Sequence, residues 1–162
     1  MNIIVFSDSH GHTRNMISTL QKHPDIEYVL HLGDYGTDIS EVQEFNPTLL
    51  TDAVQGNNDK KKIYQLEKVI ILAGKKILIT HGHNYNVRRN LTQLVNKGLQ
   101  ENFSAILFGH THEPFIKTIE GILLVNPGSI FSQRDFLGST YAILTVTKDG
   151  ISAEILKYNL SN

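Results

Sequence analysis

"NIIVFSDSHGH", residues 2–12, runs from an unbroken apolar stretch straight into a cluster of acid and imidazole side chains. Ile3, Ile4, Val5 and Phe6 are β-branched or aromatic and show no polar alternation, the pattern of a strand buried on both faces. "NIIVFSD" (2–8) therefore reads as a buried strand. "TRNMISTLQKH" (13–23) follows, with Met16, Ile17 and Leu20 at helical spacing and Thr13 as the expected N-cap. The same alternation then repeats. "EYVLHLGD" (27–34) reads as a strand, "DISEVQEF" (38–45) as a short helix with an acidic start, and "TLLTDAVQGNND" (48–59) as a third strand. Successive strand–helix units predict parallel pairing and an α/β fold.

Working outward, the second half changes character. "IYQLEKVIILAGKKILITHGH" (63–83) predicts a hairpin turning at Ala73-Gly74-Lys75. "VRRNLTQLVNKGLQ" (87–100) predicts an amphipathic helix with Val87, Leu91, Leu94 and Val95 on one face. "FSAILFGHTH" (103–112) reads as a strand, and "FIKTIE", "GILLVNP", "STYAILTVT" and "GISAEILKY" read as four more. Turns fall at Glu120-Gly121 and Lys148-Asp149-Gly150. No linker, internal repeat or low-complexity segment interrupts the chain, so one layered domain is expected over residues 1–162.

Bulk composition narrows the function. The 162 residues fit one substantial core, and 40% hydrophobic with 19% charged residues is ordinary for a globular protein. A formal charge of −1 gives no global attraction to nucleic acid or an anionic membrane. The absence of cysteine excludes disulfides and thiolate metal sites. No apolar stretch approaches the roughly 20 residues that span a bilayer, and the N-terminus lacks a basic leader, so a cytoplasmic protein with no membrane association is expected. Eight histidines is a high count for this length, and histidine is the commonest metal ligand.

Five predicted strand ends carry the same chemistry: Asp8-Ser9-His10, Gly33-Asp34, Gly56-Asn57-Asn58-Asp59, His81-Gly82-His83 and Gly109-His110-Thr111-His112. In open α/β sheets, sites form just beyond the carboxyl ends of strands. Glycine beside four of the clusters permits tight turns and close backbone approach. If the segments are extended, residues i and i+2 face one side, which would turn Asp8 with His10, and His110 with His112, into one cavity. Each cluster alone has an ordinary explanation as a cap, a turn or a core histidine. Five converging ends with oxygen and nitrogen donors make coincidence a poor account of the set.

The order D-x-H, G-D, G-N-x-D, H-G-H, G-H-x-H resembles the calcineurin-like metallophosphoesterase superfamily. The short length and "NPGS" (126–129) resemble its small phosphodiesterase branch, and the pattern covers residues 8 to 129. The resemblance implies a four-layer α/β sandwich of two packed mixed sheets flanked by helices. It also implies two divalent metal ions per chain, one held by Asp8, His10 and His112 and the other by Asn57, His81 and His110, with Asp34 bridging. Mixed nitrogen and oxygen donors without sulfur suit manganese, the expected metal, or iron, nickel, cobalt or zinc. Two cations less two carboxylates and a bridging hydroxide leave roughly one positive charge, which suits a phosphodiester monoanion, and the hydroxide is the expected nucleophile.

Around this centre, Asp59 is expected to assist catalysis by orienting a ligand histidine or the loop amides, and His83 to contact substrate or leaving group. Asn57 counts as both ligand and catalytic residue, and Asn58 and Arg134 as substrate contacts. Many superfamily members carry a histidine where this chain has Asn58; asparagine cannot act as a general acid, while the small branch commonly lacks that histidine. His31 is expected to be a packed core residue or a support behind the ligands. Arg88 and Arg89, at the expected helix start, read as solvated charge or phosphate contacts. Lys60-Lys61-Lys62 reads as an edge-strand guard against aggregation, with guidance of an anionic substrate as the alternative. The expected reaction is hydrolysis of a small phosphodiester or nucleotide-like substrate. A protein-binding scaffold, resembling the retromer scaffold subunit, and a nuclease for RNA or single-stranded DNA are the alternatives. A homodimer is an open expectation.

Overall fold

The structure is a computed structural model that describes residues 1–131 and 138–159. The apolar run at the N-terminus forms β1 (Asn2–Phe6), followed by α1 (Thr13–Lys22), β2 (Tyr28–His31), α2 (Ile39–Phe45) and β3 (Leu50–Ala53). The hairpin is β4 (Glu67–Leu72) and β5 (Lys75–Thr80). Then come α3 (Thr92–Glu101), β6 (Ala105–Leu107), β7 (Pro114–Ile119), β8 (Ile122–Pro127), β9 (Thr140–Val146) and β10 (Ile151–Lys157).

Two mixed five-stranded sheets result, in the orders β10-β9-β1-β2-β3 and β4-β5-β6-β8-β7. In the first, β1, β2 and β3 run parallel, and β9 lies antiparallel on the other side of β1. In the second, β5, β6 and β8 run parallel between the antiparallel edges β4 and β7. The alternation within β1 explains the packing. Ile3 and Val5 face the second sheet, meeting Ile77, Ile79, Leu107 and Val125 in the central core. Ile4 and Phe6 face outward onto Met16 and Leu20 of α1 and Ile39 and Val42 of α2. On the far side, Leu78, Ile106 and Leu124 pack against Leu94 of α3. The four layers are helix, sheet, sheet and helix, so the central strands are apolar on both faces, as the unbroken runs require.

Three local expectations are corrected. The third strand ends at Ala53, because Gln55 N–H turns away to the Gln65 carbonyl, 2.8 Å distant. The third helix starts at Thr92, not Val87: Asn86 sits at φ 52°, and Asn90 Oδ1 accepts the Thr92 N–H at 3.1 Å. The apolar face was read correctly all the same, since Val87 and Leu94 are buried and Leu91 and Val95 pack on them. Thr13 is the first helical residue and no cap; its hydroxyl donates to Glu41 Oε2 at 2.6 Å and ties α1 to α2.

Candidate metal centre

The parallel strands deliver their carboxyl ends to one side of the molecule, where the two sheets meet. Gly109 N–H donates to the His81 carbonyl at 3.1 Å, and Asp8 N–H to the Gly33 carbonyl at 3.0 Å. Glycine is needed where these loops cross. A Cβ on Gly56 would overlap the amide and carboxylate of Asp34, and one on Gly109 would overlap the Ser7 hydroxyl.

Of the seven expected metal ligands, Asp8, His10, His81, His112 and Asp34 form two groups: Asp8 with His10 and His112, and Asp8 with Asp34 and His81. Within each group the donor atoms lie within 4.8 Å of one another. Asp34 thus stands between a member of one expected set and a member of the other. His112 Nε2 lies 3.0 Å from Asp8 Oδ1, and His81 Nε2 lies 3.4 Å from Asp34 Oδ1 and 3.2 Å from Asn57 Oδ1. His110 lies beside these groups, its ring centroid 5.1 Å from that of His81.

Asp8, His10, Asp34, His110 and His112 have φ of 53°, 49°, 54°, 70° and 64°. The expectation of extended i, i+2 pairs is therefore replaced: a left-handed backbone, not a pleat, turns these side chains inward. Such a conformation costs roughly 1–2 kcal/mol per non-glycine residue, so the cluster carries strain comparable to the full burial of a few large apolar side chains.

Two observations test whether a metal fits. Asp8 Oδ1 is buried and, despite the nearness of His112, makes no aligned hydrogen bond among the described residues. A buried carboxylate oxygen without a partner is costly unless a cation meets it. His81 Nδ1 lies 2.7 Å from the Leu32 carbonyl, which can only accept, so Nδ1 carries the proton and the Nε2 lone pair faces the acceptor oxygens of Asp34 and Asn57, an arrangement that a cation between them would satisfy. The residues fit a divalent ion.

Residues 1–149 match the family model of the calcineurin-like phosphoesterase superfamily domain. The chain belongs to that superfamily. It is 32% identical over 151 residues to the probable metallophosphoesterase YsnB of Bacillus subtilis, covering 92% of this chain and 86% of YsnB. It is 28% identical to the phosphodiesterase MJ0936 of Methanocaldococcus jannaschii over 79% of this chain and 83% of that one. The crystal structure of a Streptococcus pneumoniae protein described as a predicted phosphoesterase superposes with a TM-score of 0.81 at 28% identity, covering 97% of this chain and 89% of that one. Vps29 of Entamoeba histolytica shares the fold, with a TM-score of 0.75 at 21% identity over 98% of this chain and all of that one.

In this member of the superfamily, neighbouring charges and burial set the protonation of the candidate ligands. Burial works against ionisation of Asp8, but the His112 and His81 imidazoles outweigh it and hold the carboxyl below its usual range. Contact with Asp8 raises His112. Burial first, then His81 and Arg88, push His110 down to about 4. His83 lies beside the ligand rings, 5.4 Å from His81 and 6.1 Å from His110 by centroid, and its Nδ1 is buried without a hydrogen bond among the described residues.

The supporting residues are clearer in the structure than in the sequence. Asp59, expected either behind a ligand histidine or on the loop amides, does the latter: its oxygens accept N–H bonds from Asp34, Gly36 and Gly56 at 3.1, 2.8 and 2.6 Å. These bonds tie the loop after β2 to the loop after β3. Asn58, expected toward substrate, donates its backbone N–H and its Nδ2 to the two oxygens of Asp34, at 2.8 and 2.5 Å. Asn126 is buried and donates to the Gly109 carbonyl at 2.9 Å and Thr111 Oγ1 at 3.0 Å, while Ser129 Oγ donates to the Asp8 carbonyl at 2.8 Å. The "NPGS" turn thus fastens the Asp8 loop to the Gly109–Thr111 loop. His31 is buried; Gly33 N–H donates to its Nδ1, so Nε2–H faces Ser9 Oγ at 2.8 Å. Arg88 reaches the His110 carbonyl at 3.1 Å from a turn ahead of α3. Lys60–Lys62 lie between β3 and β4 and on neither, which removes the edge-strand explanation for them. Arg134 lies outside the described residues.

Proposed function

We propose that the chain is a metal-dependent phosphodiesterase with two divalent ions per chain, manganese first among the candidates. The observation that carries this is the pair of donor groups that share Asp8, with Asp34 set between the two ligand sets. In this reading Asp8, His10 and His112 hold one ion, Asn57, His81 and His110 hold the other, and Asp34 is shared. When bound, the ions would supply an activated water as nucleophile and positive charge against the phosphoryl oxygens.

The chain's own residues do the rest. Asp8 and Asp34 set the net charge, leaving roughly one positive charge to receive a monoanionic diester. His81 is held by the Leu32 carbonyl so that its lone pair faces the site. Asn57 contributes a neutral oxygen that leaves that charge uncancelled. Arg88, exposed at the rim beside His110, meets the departing or incoming phosphate, and His83 faces the leaving group. The MJ0936 relative, called a phosphodiesterase, supports a diester over a monoester substrate. The retained donors argue against a pure scaffold, and a formal charge of −1 argues against a dedicated nucleic-acid groove. No helix among the described residues is long and apolar enough to cross a membrane. The reading is of one domain over residues 1–162 acting in the cytoplasm, with a homodimer as the assembly to test.

Manganese-loaded protein should hold two ions per chain by elemental analysis and cleave bis(p-nitrophenyl) phosphate faster than p-nitrophenyl phosphate. One ion or fewer, or a clear preference for the monoester, would contradict the proposal.

A further inference from the structure

Tyr35 is unassigned by anything above, yet the backbone goes to some expense to place it. Gly33, Asp34 and Tyr35 are consecutive left-handed residues, at φ 92°, 54° and 70°. A bulky residue in this conformation is rare outside functional sites. Tyr35 is 36% exposed, and its ring meets the ring of the expected ligand His10 at a steep angle, 60° between planes, with centroids 5.4 Å apart. Tyr35 also lines a cavity of about 200 Å³ with Thr37, Asn58, Asp59, Lys60 and Lys61, and the Asp59 carboxylate there is already taken up by three backbone N–H groups. Asn58 joins that cavity to the metal centre, because its side chain holds Asp34. Lys60 and Lys61 form no ion pair among the described residues.

We propose that this cavity is a subsite for the planar base of a nucleotide substrate, with Tyr35 as its stacking platform and Lys60 and Lys61 as contacts for a further phosphate. The proposal rests on the phosphodiesterase reading and names its substrate class. The volume is below the usual range for a whole drug-sized ligand, so it suits one ring system and not a folded oligonucleotide. An aromatic face accepts any base, so the subsite selects for the presence of a base more than for its identity. A second phosphate beside the base finds two free ammonium groups.

The test is calorimetric titration of metal-loaded protein with adenosine 5′-monophosphate, ribose 5-phosphate and adenosine 3′,5′-bisphosphate. The monophosphate should bind about ten-fold or more tighter than ribose 5-phosphate, the range base–aromatic stacking provides. Tyr35→Ala should abolish that ratio, and Tyr35→Phe should keep it. Lys60→Ala with Lys61→Ala should leave the ratio intact and remove the added affinity of the bisphosphate. Equal binding of the two monophosphates by the unmodified protein, or no binding of either, overturns the proposal. So does a Tyr35→Ala protein that loses metal and weakens both ligands alike, because Tyr35 would then only prop His10. Failure to cleave bis(p-nitrophenyl) phosphate with the base preference intact would instead sink the phosphodiesterase reading alone.

Discussion

Both oxygens of Asp59 are taken up by three backbone N–H groups from two different loops. Asp59→Asn replaces one acceptor with a donor that faces those N–H groups. Charge-assisted bonds of this kind are worth enough that the variant should lose on the order of 2 kcal/mol, read as a lower denaturant midpoint at unchanged slope. His83 has the opposite standing: its Nδ1 is buried and unpartnered beside the ligand rings, and Asn58 cannot donate a proton to a departing alkoxide. If His83 serves as that acid, His83→Ala should slow alkyl esters by about 10²-fold or more, slow aryl esters far less, and leave the metal content unchanged. An equal fall for both ester classes would reduce His83 to packing or binding. At this scale the grouping of Asp8, His10, Asp34, His81 and His112 was legible, because donors recurred together at successive strand ends although each alone had an ordinary use. How they turn inward was not, since left-handed φ at Asp8 or His112 leaves no mark in residue type. The "NPGS" stretch was legible as a motif, but not the bonds by which Asn126 holds Gly109 and Thr111, because they join residues far apart in sequence.

Elements show where local chemistry suffices. The β4–β5 and β7–β8 hairpins turn through Ala73-Gly74 and Glu120-Gly121, with φ of 48° and 77°, and 50° and 80°. Two positive values in a two-residue loop define the type I′ turn, which favours Asn-Gly. Ala73→Asn should therefore stabilise the protein by on the order of 0.5–1 kcal/mol, visible as a higher thermal midpoint. A lower midpoint would mean that Ala73 makes a contact beyond the turn. The crossing at Gly109 has no such slack. Gly109→Ala places a methyl against Ser7 and Asp8 and should cost about 1–3 kcal/mol while loosening metal retention. Retention measured by dialysis, followed by metal analysis, would separate the two effects. The start of α3 was misread because Val87 to Leu91 keeps the apolar spacing of a helix while Asn86 and Asn90 form a turn.

At the scale of the molecule, the α/β character was legible in the alternation of the first half, and the hairpins in the second. The order of strands was not. Nothing local in "STYAILTVT" says that β9 returns to pair with β1, matching Thr145 with Asn2 across the length of the chain. Within that sheet His31 is fully buried on β2 between Phe6 of β1 and Ala53 of β3, close to the candidate metal centre. Burial, the largest cause, pushes His31 down to about 4 from 6.5, against the opposing pull of Asp8 and Asp34. The sign follows from the depressed folded value. Above pH 6.5 the imidazole is neutral in both states and its contribution is fully present. As pH falls from 6.5 toward about 4, the unfolded chain takes up a proton that the folded one refuses, and stability declines. The loss should reach on the order of 3 kcal/mol at the acid end. Denaturant midpoints of chelator-treated protein, measured from pH 7 to pH 4, should fall along this window. His31→Gln should start lower, having lost a fitted ring, and show a flatter profile over the same range. Parallel profiles for the two proteins would place the acid sensitivity on other groups, His110 first among them, since burial depresses it in the same direction.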